Sequence, residues 1–379
     1  MSIQISIQMS IQMSIQMLAL AVAATLPLVA AAPPEADREP PLRDYWAYVC
    51  AESEDEVALI RFGPQGAEVA KTIEVGTFPA EIEGPHGIGV SPSGRYWYVS
   101  VSHGMPFGTI HKFATGTDEW EGDTTVGMFP ATLDVAGTTG LLYVVNSDFF
   151  GDHSPSTISV VETSTMTEVR QIPTGTMPHG ARLSRDGKRL YSVNMMDDEL
   201  VEVDALRFEI SRRLALSTPA AAGHGGHAEH AGAPRVEPAW VSAPTAAGKL
   251  YVAALSGNQI LEVDLAAFEV TRRFDTVAGP YNLAVTPDDA MLVATYKKSD
   301  AVGFWDLATG VEIARVATTR RIPHGVAITS DGRYSFVTVE GVGGEPGVVE
   351  VFDNRIQERV GTVEVGKQAG GVAVWERGG

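Results

Sequence analysis

Short apolar runs of five or six residues recur along this chain, and each is followed by a turn made of glycine, proline, serine or aspartate. Examples are Tyr96–Val101, Leu141–Asn146 and Tyr334–Val339, which are rich in β-branched and aromatic residues. Such residues favour strands, and turns such as Ser330-Asp331-Gly332 favour tight hairpins. The pattern therefore predicts an all-β protein built from short antiparallel strands.

The strands recur in groups that begin with a proline, and this repeat predicts the architecture. Successive prolines at the start of a group are 45, 48, 60, 42 and 43 residues apart, with 46 more residues to the last group. A period of this size is typical of a four-stranded propeller blade. The seven groups start at Pro85, Pro130, Pro178, Pro238, Pro280, Pro323 and Ala369.

The two ends of the chain complete one blade. The segment from Tyr45 supplies a second, third and fourth strand, whereas the last group stops after its first strand. Pairing Gly371–Val374 with Tyr45–Val49 closes the ring and leaves no free inner edge. We therefore predict a seven-bladed β-propeller over residues 45–379, with four antiparallel strands per blade and a short, polar fourth strand in each.

The repeats resemble the YVTN-repeat β-propeller family. The resemblance is carried by segments such as Pro178-His179-Gly180, Arg185-Asp186-Gly187 and Leu190–Asn194, and it covers residues 45 to 379. It implies the propeller fold and leaves the activity open, since similar blades occur in surface-layer proteins, lactonases, lyases and the propeller of nitrous oxide reductase. The cupredoxin domain of that reductase has no counterpart here, and a complete reductase is not expected.

The N-terminal region is typical of an export signal. Residues 1–32 contain no charge, and an apolar stretch from Leu18 to Val29 ends in three alanines. These features predict a signal peptide over residues 1–32 and a linker over 33–44, although an uncleaved membrane anchor is the alternative interpretation. We expect a monomeric protein in the periplasm or at the cell surface, with no membrane insertion after cleavage.

Composition excludes several classes of partner. The chain has 28 Lys and Arg against 47 Asp and Glu, a net charge of −19, and this argues against nucleic acid or anionic lipid as a partner. The single cysteine, Cys50, rules out an intramolecular disulfide and lies within an apolar run, where a buried role is expected. A small molecule, a metal ion or another exported protein remain as candidate partners.

Histidine is the residue type with the most informative placement. His86, His179 and His324 follow the first proline of their repeats, so the propeller would bring all three to one end of its channel. Loops on the same face add His103 and His153, with Asp148, Asn194, Met195, Met196, Asp197 and Glu340 nearby. His111 falls in a third strand, away from that end. Imidazole suits copper, zinc, iron and nickel, and thioether favours Cu(I).

The long interval between Pro178 and Pro238 contains an insertion at residues 219–237. It carries three histidines at three-residue spacing, His224, His227 and His230, separated by glycine, alanine and glutamate. A His-rich tract of this kind can bind a transition metal without a preformed fold. It could deliver metal to the channel, or it could be a tolerated surface insertion.

Two functions of different class remain. One is an exported binding or scaffold protein with a His-lined metal or ligand site, the metal being copper or zinc, at the mouth of the channel. The alternative is a metal-dependent lyase or lactonase in which His179 or His324 acts as general base. A structural role is open for the same histidines, because an imidazole after proline can simply hold a loop to a backbone carbonyl. Asp134 and Arg182, in adjacent repeats, are expected to form an ion pair beside the channel.

Overall fold

The structure is a computed structural model that describes residues 39–78, 80–152, 154–217 and 235–377. Residues 40–377 of this set form one compact unit. Its described part contains seven four-stranded antiparallel sheets, which are the blades of a β-propeller. The predicted fold class is confirmed. No helix among the described residues is long and apolar enough to cross a membrane.

The first two strands of each blade begin close to the residues that the sequence predicts. The innermost strands are β4 (Pro85–Val90), β8 (Pro130–Ala136), β12 (Pro178–Leu183), β16 (Pro238–Val241), β20 (Pro280–Val285), β24 (Pro323–Ile328) and β28 (Ala369–Trp375). The second strands are β5 (Tyr96–Val101), β9 (Leu141–Asn146), β13 (Arg189–Asn194), β17 (Lys249–Ala254), β21 (Met291–Tyr296), β25 (Tyr334–Val339) and, in the closing blade, β1 (Tyr45–Ala51).

The outer two strands of each blade are longer than the sequence pattern suggests. The third strands are β6 (Gly108–Ala114), β10 (Pro155–Glu162), β14 (Glu199–Asp204), β18 (Gln259–Asp264), β22 (Ala301–Asp306), β26 (Pro346–Asp353) and β2 (Glu56–Gly63). The fourth strands are β7 (Trp120–Val126), β11 (Thr167–Thr176), β15 (Glu209–Ala215), β19 (Glu269–Asp275), β23 (Val311–Ala317), β27 (Glu358–Lys367) and β3 (Gly66–Glu74). The prediction of short fourth strands was wrong, because they extend to 7–10 residues along the exposed rim.

The ring closes as predicted. In the closing blade the strand order is β28-β1-β2-β3, with Val374 opposite Ala47 and Val372 opposite Val49. Trp375 is buried beside Trp46 and Tyr48, at ring-centroid distances of 6.2 and 5.9 Å. Because this blade contains both ends of the propeller, its packing holds the ring shut.

The apolar core lies between neighbouring blades. Ile60 and Phe62 of the closing blade, for example, pack against Tyr334 and Phe336 of the blade before it. All four side chains are almost fully buried, and each such burial stabilises the fold by about 1.5–3 kcal/mol. Every blade is thereby held by its two neighbours.

Glycine is required where the innermost strands approach each other. A Cβ atom on Gly87 would lie 2.7 Å from the carbonyl oxygen of Ala131, and one on Gly325 would lie 2.8 Å from that of Gly370. At Gly180 the Cβ atom would lie 2.5 Å from the Cα atom of Trp240. In each case the contact is with the next blade's innermost strand. The glycine after each histidine therefore allows the strands to converge on the channel.

Candidate functional site

An irregular turn precedes every innermost strand at the same end of the channel. The residue just before each strand has a positive φ angle: 67° at Gly84, 48° at Phe129, 50° at Met177, 49° at Glu237, 79° at Gly279, 68° at Ile322 and 58° at Gln368. All seven strands then show a register shift against the second strand, beginning at the proline or, in β28, at Ala369. Because bulges re-aim side chains, the position after the proline is directed into the channel.

The seven equivalent positions in the channel are filled by four ring-bearing residues and three small ones. In chain order they are His86, Ala131, His179, Ala239, Tyr281, His324 and Gly370. Large side chains at all seven would not fit around one axis, and the small residues make room for the rings. The arrangement follows from the repeat: one position per blade, presented at one level.

The four rings form a closed circuit, which we call the four-ring floor. Ring centroids are 6.1 Å apart between His86 and His179 and 5.7 Å between His179 and Tyr281. They are 4.7 Å apart between Tyr281 and His324 and 5.6 Å between His324 and His86. The predicted convergence of His86, His179 and His324 is therefore present, with Tyr281 inserted between His179 and His324.

A carboxylate connects His86 to His103. Nδ1 of His86 lies 3.0 Å from Oε2 of Glu52, and Nε2 of His103 lies 2.9 Å from Oε1 of the same residue. Burial would raise the pKa of Glu52, but the neighbouring His86 and His103 outweigh burial and hold that pKa well below its ordinary value. The hydrogen bond to Glu52 in turn raises the pKa of His103. Glu52 is ionised and fixes the orientation of both rings.

His179 is held as a neutral imidazole. Its Nδ1 donates a hydrogen bond of 2.9 Å to the carbonyl oxygen of Ala239, and its Nε2 accepts one of 3.2 Å from the hydroxyl of Tyr281. Burial, together with the nearby His86, lowers the pKa of His179 to about 3, and burial raises that of Tyr281 to about 12. Both groups are uncharged at neutral pH. The Nε2 lone pair of His179 is thus available on the floor, shared only with one hydroxyl.

His324 has the least satisfied ring of the four. Its Nδ1 is buried and has no hydrogen-bond partner among the described residues, and its Nε2 lies 3.9 Å from a carboxylate oxygen of Glu340. Burial, followed by the charges of Lys297 and His86, lowers its pKa well below the ordinary value. Glu340 is instead engaged by Lys297 at 2.8 Å, and the ammonium of Lys297 lies 4.3 Å from the ring centroid of Tyr281.

The four-ring floor lies at the base of a cavity of about 890 Å³. One part of the wall is aromatic: Phe129, Phe149 and Phe150 lie within 5.5 Å of one another, measured between ring centroids. The rest of the apolar wall is supplied by Met177, Met195, Met196, Leu255 and Ile322. The cavity thus combines apolar and aromatic walls with a few polar groups, as in many sites for small ligands.

The predicted site residues fall into three groups. His86, His179 and His324 meet on the floor, while His103 lines the same cavity and binds Glu52. His153 and the insertion histidines His224, His227 and His230 lie outside the described residues. Within the described part of the chain, no three His, Cys, Asp or Glu side chains are arranged as a group that could hold a metal ion. His111 is in β6, in a third strand as predicted.

Three unpredicted residues act directly on the four-ring floor: Tyr281, Glu52 and Lys297. Tyr281 follows Pro280 at the position that the histidines occupy, so the repeat alignment contained its signal. Glu52 follows β1, in the loop between the second and third strands of the closing blade. Loops of that kind are expected to face the cavity, so the position of Glu52 after β1 was its signal. Lys297, in the loop after β21, had no distinctive neighbour in the sequence.

Comparison with known proteins shows a likeness of fold. No family model matches the sequence, and no curated protein shows significant sequence similarity to it. Among solved structures the chain is similar to hydrazine synthase from Kuenenia stuttgartiensis, with a TM-score of 0.61 and 18% sequence identity. The match covers 79% of this chain and 93% of that one. At this level of identity the similarity establishes the β-propeller fold alone.

Proposed function

We propose that this protein is an exported binding protein that holds a transition-metal ion, preferentially Cu(I), on the four-ring floor. The observation that carries the proposal is the meeting of three equivalent imidazoles at the base of one cavity. The ring centroid of His86 lies 6.1 Å from that of His179 and 5.6 Å from that of His324. His86, His179 and His324 are the proposed ligands.

Hydrogen bonding on the far side of the rings supports this proposal. Metal-binding histidines usually donate their second ring N–H to a carboxylate or a carbonyl, which fixes the ring and raises its basicity. His86 has such a partner in Glu52 and His179 has one in Ala239. In both rings Nε2 is the nitrogen left for a ligand. His179 and His324 are also neutral, so binding a metal there releases no proton.

The surroundings favour copper over zinc. Met177, Met195 and Met196 line the same cavity, and thioether with imidazole selects Cu(I). Zinc favours four ligands in a tetrahedron, often including thiolates or carboxylates. The nearby carboxylates, Glu52 and Glu340, are already bound to His103 and Lys297. The insertion histidines would be an auxiliary metal-binding segment.

Competitive titration with Cu(I) and Zn²⁺ chelators tests the proposal. It is best done on a variant lacking residues 223–232, so that the insertion histidines do not contribute, and in parallel on the complete chain. We expect one Cu(I) per chain, bound at least about 100-fold more tightly than Zn²⁺. The His179→Ala variant should lose this site, and His111→Gln, a histidine outside the cavity, should retain it. Equal affinity in all variants would reject the proposal.

A lyase or lactonase is the second candidate, and one observation favours it. The cavity is large enough for an organic substrate, and it places the Tyr281 hydroxyl, the His179 imidazole and the Lys297 ammonium together. A pKa of about 3 makes His179 a weak general base at neutral pH, which is why binding is preferred. Turnover of a lactone or an eliminable ester by the purified protein, abolished by Tyr281→Phe, would favour the enzyme.

A further inference from the structure

The channel continues below the four-ring floor and contains a second, smaller cavity. It is lined by His86 and His324 from above, and by Thr132, Arg182, Trp240 and Asn282 around its sides. Its volume is about 20 Å³, and a water molecule needs roughly 10–15 Å³ on the same measure. The space therefore suits one or two particles of the size of water or a halide ion.

Arg182 lines this cavity, and no carboxylate of the described residues forms an ion pair with it. Its Nη1 donates a hydrogen bond of 2.7 Å to the carbonyl oxygen of Ala181, and its guanidinium carbon lies 4.8 Å from the ring centroid of Trp240. The predicted ion pair with Asp134 is absent from the described contacts. Asp134 uses its two oxygens to accept hydrogen bonds from the backbone N–H groups of Val135 and Leu183. Its charge acts on Arg182 only through space.

Several polar atoms around the guanidinium also lack partners. Among the described residues, Nε1 of Trp240, Oγ1 of Thr132 and Oδ1 of Asn282 are buried without a hydrogen bond. The first two can donate, and the Asn282 amide presents a donor when it is turned over. Buried polar groups are normally satisfied by protein, water or an ion, and buried charges are normally compensated. With the Asn282 amide turned over, an arginine and three potential donors therefore line one small cavity. Nδ1 of His324, also buried without a partner among the described residues, lies at the edge of the same cavity.

We propose that this cavity binds a small inorganic anion of halide size, with Arg182 as the principal ligand and Trp240, Thr132 and Asn282 as additional donors. The ligand chemistry is that of chloride. The cavity shares His86 and His324 with the proposed metal site, but its proposed ligands are other residues, and the proposal does not depend on a metal being bound.

Bromide is the probe that distinguishes an anion from water. Crystals of the chelator-treated protein are transferred from gluconate to bromide, and anomalous difference density is measured at the bromine edge. We expect a peak beside the guanidinium of Arg182. The thermal midpoint should also rise with bromide or chloride, compared with gluconate at equal ionic strength. Density without anomalous signal at saturating bromide means that water fills the site, and it would overturn the proposal.

Variants keep the test independent of folding defects. Arg182→Gln should weaken bromide binding at least about tenfold, as expected for losing a charge-assisted hydrogen bond. Arg170→Gln, which removes an exposed arginine on β11, should leave bromide affinity unchanged. If Arg182→Gln does not fold, Trp240→Phe keeps the guanidinium and removes only a donor, and it should weaken binding about threefold or more. Unchanged affinity in either variant contradicts the proposed ligands.

Discussion

Nδ1 of His86 lies 3.0 Å from a carboxylate oxygen of Glu52, although the two residues belong to neighbouring blades. The contact joins the loop after the closing blade's β1 to the start of β4. The second carboxylate oxygen of Glu52 binds His103. One buried carboxylate therefore orients two imidazole rings. The histidine cluster thus depends on a residue that is neither equivalent to it nor close to it in sequence.

Replacing that carboxylate tests its orienting role. Glu52→Gln removes the charged carboxylate that accepts a hydrogen bond from Nδ1 of His86. Loss of such a partner typically lowers metal affinity by about 10–100-fold. We expect this reduction in Cu(I) affinity with one site still present. Glu54→Gln, which alters a surface carboxylate paired with Lys367, is the control and should have little effect. Unchanged affinity in Glu52→Gln would show that His86 needs no orienting partner.

The Tyr281→Phe variant asks whether the phenol competes for His179. Its hydroxyl donates to Nε2 of His179, the nitrogen proposed to bind metal, and a neutral hydrogen bond contributes about 0.5–1.5 kcal/mol. Removing the hydroxyl should leave Cu(I) affinity unchanged or raise it by up to about tenfold, as measured by chelator competition. A large loss of affinity would instead identify the phenol oxygen as a ligand.

The small residues of the ring of seven positions are expected to be essential for its packing. In Ala239→Leu, a fifth bulky side chain would be forced between His179 and Tyr281, and overpacking of this kind costs about 1–3 kcal/mol. The free energy of unfolding should fall by that amount in a denaturant titration, and Cu(I) affinity should fall with it. Ala290→Leu, at an exposed turn, is the matched control. Equal free energies of unfolding for the two variants would mean that the channel can hold a leucine side chain at position 239 without overpacking.

Ring closure can be tested through Trp375. Trp375→Ala removes a buried ring that contacts Trp46 and Tyr48, and it should lower the free energy of unfolding by about 3–5 kcal/mol. Trp120→Ala removes a ring that is 60% exposed on β7 and should change it by no more than about 0.5 kcal/mol. Similar losses in both variants would argue that closure contributes little.

The free energy of unfolding should depend on pH through the buried His111. Burial lowers the pKa of His111 below its ordinary value, so the unfolded chain takes up a proton near pH 6.5 that the folded chain does not. The stability that His111 contributes is therefore present above about pH 6.5 and declines as the pH falls below it. In metal-free protein, the loss of unfolding free energy between pH 7.5 and 5.5 should be smaller for His111→Gln. An equal or larger loss in the variant would contradict this.

The fold was predictable because its information is repeated. Six of the seven innermost strands start with a proline, and three of these continue with histidine and glycine. The pairing of Val372 with Val49 follows from the one blade left incomplete. The convergence of His86, His179 and His324 followed from the same repeat. The spacing of the repeats determines both the number of blades and which residues occupy equivalent positions, and this spacing can be measured in the sequence.

The rest of the cavity could not be derived in this way. Glu52 and Lys297 lie in loops that differ from blade to blade, and no repeat specifies where their side chains point. The positive φ angles of the turns before the innermost strands were also not predictable from the sequence. Glycine signals a positive φ at Gly84 and Gly279, but Phe129, Met177 and Ile322 adopt it too, which bulky residues rarely do. At these residues the surrounding packing maintains the positive φ angle, and a sequence alone does not show that packing.

The proposed copper site requires that three equivalent histidines act together. Equilibrium dialysis against Cu(I), using the variant without residues 223–232, counts bound ions for His86→Ala, His179→Ala, His324→Ala and the double variant His86→Ala/His179→Ala. We predict one ion in the parent protein, loss of that ion in each single variant, and no additional loss in the double variant. Full occupancy in any single variant, or no bound copper in the parent protein, would contradict a shared site.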